Sequence, residues 1–127
     1  DHFMAIVRAV EDGSAICYDR REREVEMERS RDAAVVELRR AARVLAEFCG
    51  EIGERSVRVR LVVDARRGEV EVGSTLAREL LFATHHAVHH CAMMKAIAVE
   101  LGVQESRGGE TFGIAPATIQ SLRNGNH

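Results

Sequence analysis

Four histidines lie in one short run of the sequence, and they are its main candidates for chemistry. The run contains His85, His86, His89 and His90, which form two pairs with a spacing of four residues. Imidazole nitrogen is a ligand for zinc, nickel, copper and iron. On a helix, two imidazoles one turn apart have Cβ atoms about 6 Å apart, which one metal ion can bridge.

The turn of roughly 100° per residue in a helix predicts where each histidine points. Measured from His90, His86 lies about 40° away, whereas His89 and His85 lie about 100° and about 140° away. An apolar stripe runs on the side of His86 and His90. We therefore expect these two residues to face the core as metal ligands. The alternative is a pair of core histidines that form hydrogen bonds with their neighbours.

A catalytic metal site usually has three protein ligands and one open position. His2 lies on the apolar stripe of the first segment and is the candidate third ligand; alternatively, that ligand precedes Asp1. Glu79 shares the inward face and is expected to accept a hydrogen bond from a ligand imidazole. Its alternative role is an ion pair with an arginine. Ala87 stands where an HExxH peptidase has its glutamate, which excludes that class of enzyme.

Three segments have the apolar periodicity of helices, at residues 1–11, 30–49 and 74–101. Ser30 is a plausible N-cap of the second segment, and Pro116 can open a last short helix that ends at Arg123. In the second segment, the stripe contains Ala34, Leu38, Ala41, Leu45, Phe48 and Ile52. In the third, it contains Leu76, Leu80, Ala83, Ala87, His90, Met94, Ile97 and Leu101. Steps of four and three are typical of left-handed helical bundles.

Two stretches differ from this helical pattern. Residues 57–63 and 69–72 place apolar side chains at every second position around a loop that contains Gly68, which predicts a β-hairpin. Residues 13–29 mix charges of both signs, and we expect a solvated connection there.

Composition limits the class of protein. A chain of 127 residues is long enough for one domain, which we expect to span residues 1–127. Its net charge of −2 argues against a nucleic-acid binder, and no apolar run is long enough for a membrane span. Three cysteines without a CxxC motif favour the reducing cytoplasm. Because Asp1 is not an initiator methionine, we expect the domain to be incomplete at its N-terminus.

The histidine segment, His86-Ala87-Val88-His89-His90, resembles the last core helix of the DinB/YfiT-like superfamily. The stretches 78–82 and 112–116 are similar to a bacterial subgroup of that superfamily, as are residues 1–3 and 18–20. The resemblance implies an all-α, four-helix up-down bundle with a small β-hairpin before the last core helix. The first helix of such a bundle is missing from this chain, unless it is present but unassigned or is supplied by a partner.

The same resemblance implies a function. His86 and His90 match two ligands of a three-histidine metal site, with His2 or a residue upstream of Asp1 as the third. The implied protein is a cytoplasmic, homodimeric, metal-dependent enzyme that holds zinc or nickel. It would be a thiol-dependent transferase acting on small electrophiles, with a thiol or another small molecule as substrate. The alternative is a non-catalytic dimeric helical bundle whose metal is structural or absent. No catalytic residue is assigned.

Overall fold

The computed structural model describes residues 2–20, 23–47, 55–66, 68–103 and 111–125. In chain order, their elements are α1 (His2–Asp12), β1 (Ile16–Cys17), a 3-10 helix (Glu26–Glu28), α2 (Arg31–Glu47), β2 (Ser56–Asp64), β3 (Gly68–Thr75), α3 (Leu76–Glu100) and α4 (Pro116–Asn124). The chain divides into two compact units, Asp1–Leu81 and Phe82–His127. None of the helices in these ranges combines the length and apolar character that crossing a membrane requires.

Helices α1 and α2 provide a core for the first unit. Met4 and Val7 of α1 are buried together with Ala41 of α2, and Val44 and Leu45 pack against this cluster. The apolar periodicity of the two segments predicts that each helix buries one side, and this cluster contains buried residues from both helices.

Ser30 caps α2, as the sequence predicts. Its Oγ accepts a hydrogen bond from the backbone N–H of Ala33 at 3.2 Å, which satisfies one of the free donors in the first turn. The cap fixes the start of α2 at Arg31. Gly50, a plausible end of this helix, lies outside the described residues, as do Phe48 and Ile52 of the stripe.

The strands form one mixed sheet in the order β1-β2-β3. β2 and β3 pair antiparallel, with Val59 opposite Val72, which is the hairpin that the alternating pattern predicts. β1 pairs parallel to β2, with Ile16 opposite Val59. Ile16 is fully buried, so this part of residues 13–29 is not the solvated connection that was expected. A strand of two residues is too short to show an alternating pattern.

The prediction of an all-α four-helix bundle is wrong. Three strands and four α-helices occur within the described ranges. The β2–β3 hairpin is part of a three-stranded sheet with β1 and not a small insertion in a helical bundle. The apolar stripes are also covered only in part: Leu38 is 61% exposed, Met94 50%, Ile97 56% and Leu101 74%. Periodicity predicted the helices correctly but not which helices pack against each other. The single domain stays a prediction.

In the second unit, Gly113 allows the segment before α4 to approach α3. Its φ of +72° favours glycine. A Cβ at this position would lie 2.8 Å from the carbonyl oxygen of Cys91 and 2.9 Å from the Cβ of Lys95. Three residues later, Pro116 opens α4 after the extended residue Ala115. The sequence predicted this last helix, and the structure ends it one residue later, at Asn124.

Candidate ligand-binding site

A cavity of about 630 Å³ lies within the first unit. Its walls come from α1, from the end of β1 and the residues after it, from the 3-10 helix and from α2. Met4, Val25, Met27 and Val36 provide apolar surface. Cavities that bind drug-sized molecules commonly measure ~300–1,000 Å³ and combine apolar walls with a few placed polar groups. The cavity has the size and the mixed lining of a small-molecule site.

Arg40 forms part of the α2 wall and is held by two carboxylates. One Nη atom lies 3.2 Å from Glu37 on the same helix, and the other lies 2.5 Å from Glu11 of α1. The hydrogen bond that Arg40 donates to Glu37, followed by the negative charge of Glu11, raises the pKa of Arg40 above its ordinary value. These ion pairs fix the guanidinium group at the wall and connect the two helices.

Tyr18 lines the same cavity, and its hydroxyl group is hydrogen-bonded to Glu79. The Tyr18 hydroxyl donates a hydrogen bond of 2.6 Å to Oε2 of Glu79. Oε1 of Glu79 accepts hydrogen bonds of 2.5 Å from the Ser74 hydroxyl and from the Arg78 guanidinium group. Glu79 itself is 1% exposed. A buried carboxylate with three donors is well satisfied, and it fixes the position of the tyrosine ring.

This network shifts two pKa values in opposite directions. Burial acts to raise the pKa of Glu79, but hydrogen bonds from Ser74, Tyr18 and Arg78 outweigh it and place the pKa below its ordinary value. Burial, followed by the hydrogen bond to the Glu79 carboxylate, raises the pKa of Tyr18 well above its ordinary value. The phenol therefore stays protonated, and the carboxylate stays charged near neutral pH.

The imidazole ring of His2 stacks on the ring of Tyr18. Its ring lies 4.8 Å from the ring of Tyr18, with 27° between their planes. The structure thus places the predicted third metal ligand against an aromatic ring. Glu79, predicted to support a ligand imidazole, has Tyr18, Ser74 and Arg78 as its hydrogen-bond donors, and none of these is a histidine. The arginine contact is the alternative role that its sequence position allowed.

Sequence reasoning missed Tyr18. It is the chain's single tyrosine, and it lies in the charged stretch that was expected to be solvated. Its contact with Glu79 spans 61 positions of the sequence, so no local pattern could indicate it. An aromatic residue alone in a polar stretch was the one feature of the sequence that could have indicated a buried or functional role for Tyr18.

In the second unit, His86 and His90 lie close together. Their Nε2 atoms are 2.9 Å apart, and the ring centroids are 4.4 Å apart. His86 is half-buried, but His90 is exposed, so the prediction that both face the core is wrong for His90. Loss of solvation, followed by the neighbouring His90 and His89, lowers the pKa of His86.

The histidine triad is a wrong prediction. Within the described part of the chain, no group of three or more His, Cys, Asp or Glu side chains is placed to hold a metal ion. One turn of a helix supplies two imidazoles by itself, so a third ligand has to come from another part of the chain, which the spacing of the histidines does not specify. That His86 and His90 by themselves bind a divalent transition metal, with zinc or nickel as first candidates, stays a prediction.

One comparison with known proteins gives a match. FK506-binding protein 5 of Rhizopus delemar is 30% identical to this chain over 107 residues. The matched region is 84% of this chain and 27% of that protein, so the chain spans about a quarter of its relative's length. No protein-family model matches the chain, and no solved structure matches it.

This finding overturns the resemblance to the DinB/YfiT-like superfamily. The metal-dependent transferase that the resemblance implied is therefore wrong. The alternative, a non-catalytic dimeric helical bundle, is wrong in its all-α fold, whereas the homodimer stays a prediction. The physical reason for the error is the low specificity of the motif. Any helix that carries histidines four residues apart brings them onto one face, whatever fold contains that helix.

Proposed function

We propose that the first unit is a ligand-binding module that holds a small organic molecule in the cavity between α1 and α2. The observation that carries this proposal is the cavity itself, with a volume of about 630 Å³ and both apolar and polar side chains in its lining. Its polar groups Tyr18 and Arg40 are fixed by neighbouring carboxylates. A preformed site loses little conformational entropy on binding.

The lining favours a ligand with an apolar body and hydrogen-bonding groups at its edge. Met4, Met27 and Val36 offer apolar surface, whose removal from water contributes roughly 25 cal/mol per Å². The Tyr18 hydroxyl donates its proton to Glu79, which fixes the phenol ring at the cavity wall. The guanidinium group of Arg40 can offer N–H donors to a ligand carbonyl.

FK506 is the first candidate ligand, because the relative that matches 84% of this chain is named for binding it. The match covers 27% of that protein, so the assignment of FK506 to this part is our proposal. The cavity supports it independently, since it is of the size that drug-like molecules occupy.

Calorimetric titration of the whole chain with FK506 tests the proposal. Val36→Lys puts a charged chain into the cavity wall, from a position that is 59% exposed and tolerant of substitution. Leu38→Lys is the matched control, because Leu38 lies on the same helix, is 61% exposed and does not belong to the cavity lining.

We expect the parent and Leu38→Lys to bind FK506 with similar affinity and Val36→Lys to bind it at least tenfold more weakly. Melting temperatures of the three proteins without ligand control for unfolding. Absence of binding by the parent would reject FK506 as the ligand. Equal binding by Val36→Lys would place the site elsewhere.

A further inference from the structure

The side chains of His86 and His90 converge on one turn of α3, with their Nε2 atoms 2.9 Å apart. A hydrogen bond at this distance requires that one of the two Nε2 atoms carries a proton. When both imidazoles instead carry their proton on Nδ1, two Nε2 lone pairs are available to one metal ion. Two nitrogen ligands of a tetrahedral zinc ion lie about 3.3 Å apart, because each zinc–nitrogen bond is about 2.0–2.1 Å long. The observed pair is therefore close to the spacing that zinc requires.

Two imidazoles are half of a closed zinc site. Zinc ions with a structural role are held by four protein ligands in a tetrahedron. In the ranges that the structure describes, no group of three or more His, Cys, Asp or Glu side chains is placed to hold a metal ion. A second copy of the chain carries the same pair of imidazoles, and a two-fold axis through the metal would bring both pairs onto one ion.

The face of α3 that carries this pair is open to a second molecule. His90 is exposed. At roughly 100° per residue, Met93, Met94 and Ile97 lie within about 60° of His90 around the helix. All three are exposed. Exposed apolar side chains that adjoin one another commonly mark a contact surface, and methionine is among the residues enriched at interfaces.

The charge and the order of side chains along α3 suit pairing with an identical helix. Residues 80–94 contain no Asp, Glu, Lys or Arg, so this stretch offers no like charges to a second copy. Phe82 stacks on His86, with ring centroids 6.0 Å apart. In an antiparallel pairing centred between the two histidines, Phe82 of one copy lies opposite Met94 of the other, because both are equally far from the centre. Contact between a thioether and an aromatic ring is favourable.

We propose that two copies of the chain share one zinc ion, which His86 and His90 of each copy bind in a tetrahedral site on a two-fold axis. The two α3 helices cross antiparallel at the metal, and each covers exposed apolar side chains of the other. All four imidazoles bind in the neutral form, with the proton on Nδ1. The proposal concerns the second unit and goes beyond the ligand cavity of the first.

Sedimentation velocity of the whole chain, without an affinity tag, tests the proposal at rising ratios of zinc to chain and in EDTA. His90→Ala removes one ligand from each copy. His85→Ala is its control, because His85 is also exposed but lies about 140° from His90 around α3. Met94→Lys keeps the ligands and puts a charge into the apolar contact. Val99→Lys is the control for that charge, since Val99 is exposed and lies about 180° from His90.

We expect the parent, His85→Ala and Val99→Lys to be monomers in EDTA and to become dimers at one zinc ion per two chains. His90→Ala should remain monomeric. Met94→Lys should dimerise about tenfold more weakly or less, because like charges then face each other across the two-fold axis. Melting temperatures in EDTA show that each variant is folded.

A parent that binds one zinc ion per chain and stays monomeric would overturn the proposal, as would a parent that binds no zinc. Dimerisation that is equal in zinc and in EDTA, or that His90→Ala retains, would also overturn it. Dimerisation that Met94→Lys leaves unchanged would contradict the contact along α3.

Discussion

At the scale of residues, Glu79 is the side chain on which the candidate site most depends. Helical periodicity placed it on an inward face, and the structure buries it. Its hydrogen-bond partners were not predictable in the same way. Tyr18 lies 61 positions away in the sequence and directly follows β1, a strand that the sequence did not indicate. Burial follows from local pattern, whereas the identity of a distant hydrogen-bond donor follows from topology.

Glu79→Gln should destabilise the fold in a pH-dependent manner. The folded pKa of Glu79 lies below the ordinary value of 4.5, so its stabilisation is complete above that value and is lost as the pH falls through the folded pKa. Near neutral pH, we expect the variant to lose about 2 kcal/mol of unfolding free energy, the range for hydrogen bonds to charged groups. Urea unfolding at several pH values measures it. A difference between parent and variant that stays constant below pH 4.5 would contradict the assignment.

Ionisation of Tyr18 can be followed directly, because the chain has one tyrosine and no tryptophan. Burial and the hydrogen bond to Glu79 raise its pKa, so ultraviolet absorbance should show no phenolate until the protein unfolds in alkali. Glu79→Gln removes the negative charge beside the hydroxyl and should lower the pKa towards the ordinary value of 10.0. A normal titration of Tyr18 in the folded parent would show that this hydrogen bond is absent in solution.

The prediction that His86 and His90 bind a divalent transition metal can be tested by zinc titration. The lowered pKa of His86 keeps its imidazole neutral, which is the form that binds metal. If the pair binds zinc, His86→Ala and His90→Ala should each abolish binding, while the exposed neighbour His85→Ala should leave it unchanged. Zinc binding that is equal in all three variants, or absent from the parent, would remove these residues as ligands.

At the scale of elements, the sequence predicts most of what forms. The segments of α1, α2, α3 and α4 and the β2–β3 hairpin lie close to their predicted positions. Each of these elements was predictable because its own residues carry a local signal, such as apolar periodicity, the Ser30 cap or Pro116 at a helix start. β1 has no such signal, because its two residues are defined by pairing with β2.

A position can require glycine because its φ is positive or because a neighbouring atom leaves no room for a Cβ, and Gly68 and Gly113 allow these two causes to be compared. Both have positive φ, of +72° and +78°, but a Cβ would meet Cys91 and Lys95 at Gly113 and nothing within 4 Å at Gly68. Gly68→Ala should cost about 1 kcal/mol from backbone strain alone. Gly113→Ala should cost about 1–3 kcal/mol more, from overpacking against α3. Thermal unfolding of both variants measures this, and equal losses would show that the close approach at Gly113 is not rigid.

At the scale of the whole molecule, the sequence predicted the wrong fold class and the wrong family. Heptad-like spacing along α3 indicates a helix with an apolar stripe but does not specify its neighbours, and Ile97 and Leu101 are exposed in the structure. The histidine motif had the same weakness, because the spacing of four residues belongs to helices in general. The cavity was not predictable either, since its lining comes from segments that are separate in sequence.

Hydrogen–deuterium exchange measured with and without FK506 would locate a bound ligand on the chain. If FK506 binds in the cavity, we expect slower exchange in peptides from α1, β1 and the first half of α2, which line it. Peptides from residues 82–100 of α3 serve as the internal control and should not change. Unchanged exchange at saturating FK506, or protection confined to residues 82–100, would contradict a ligand site in the first unit.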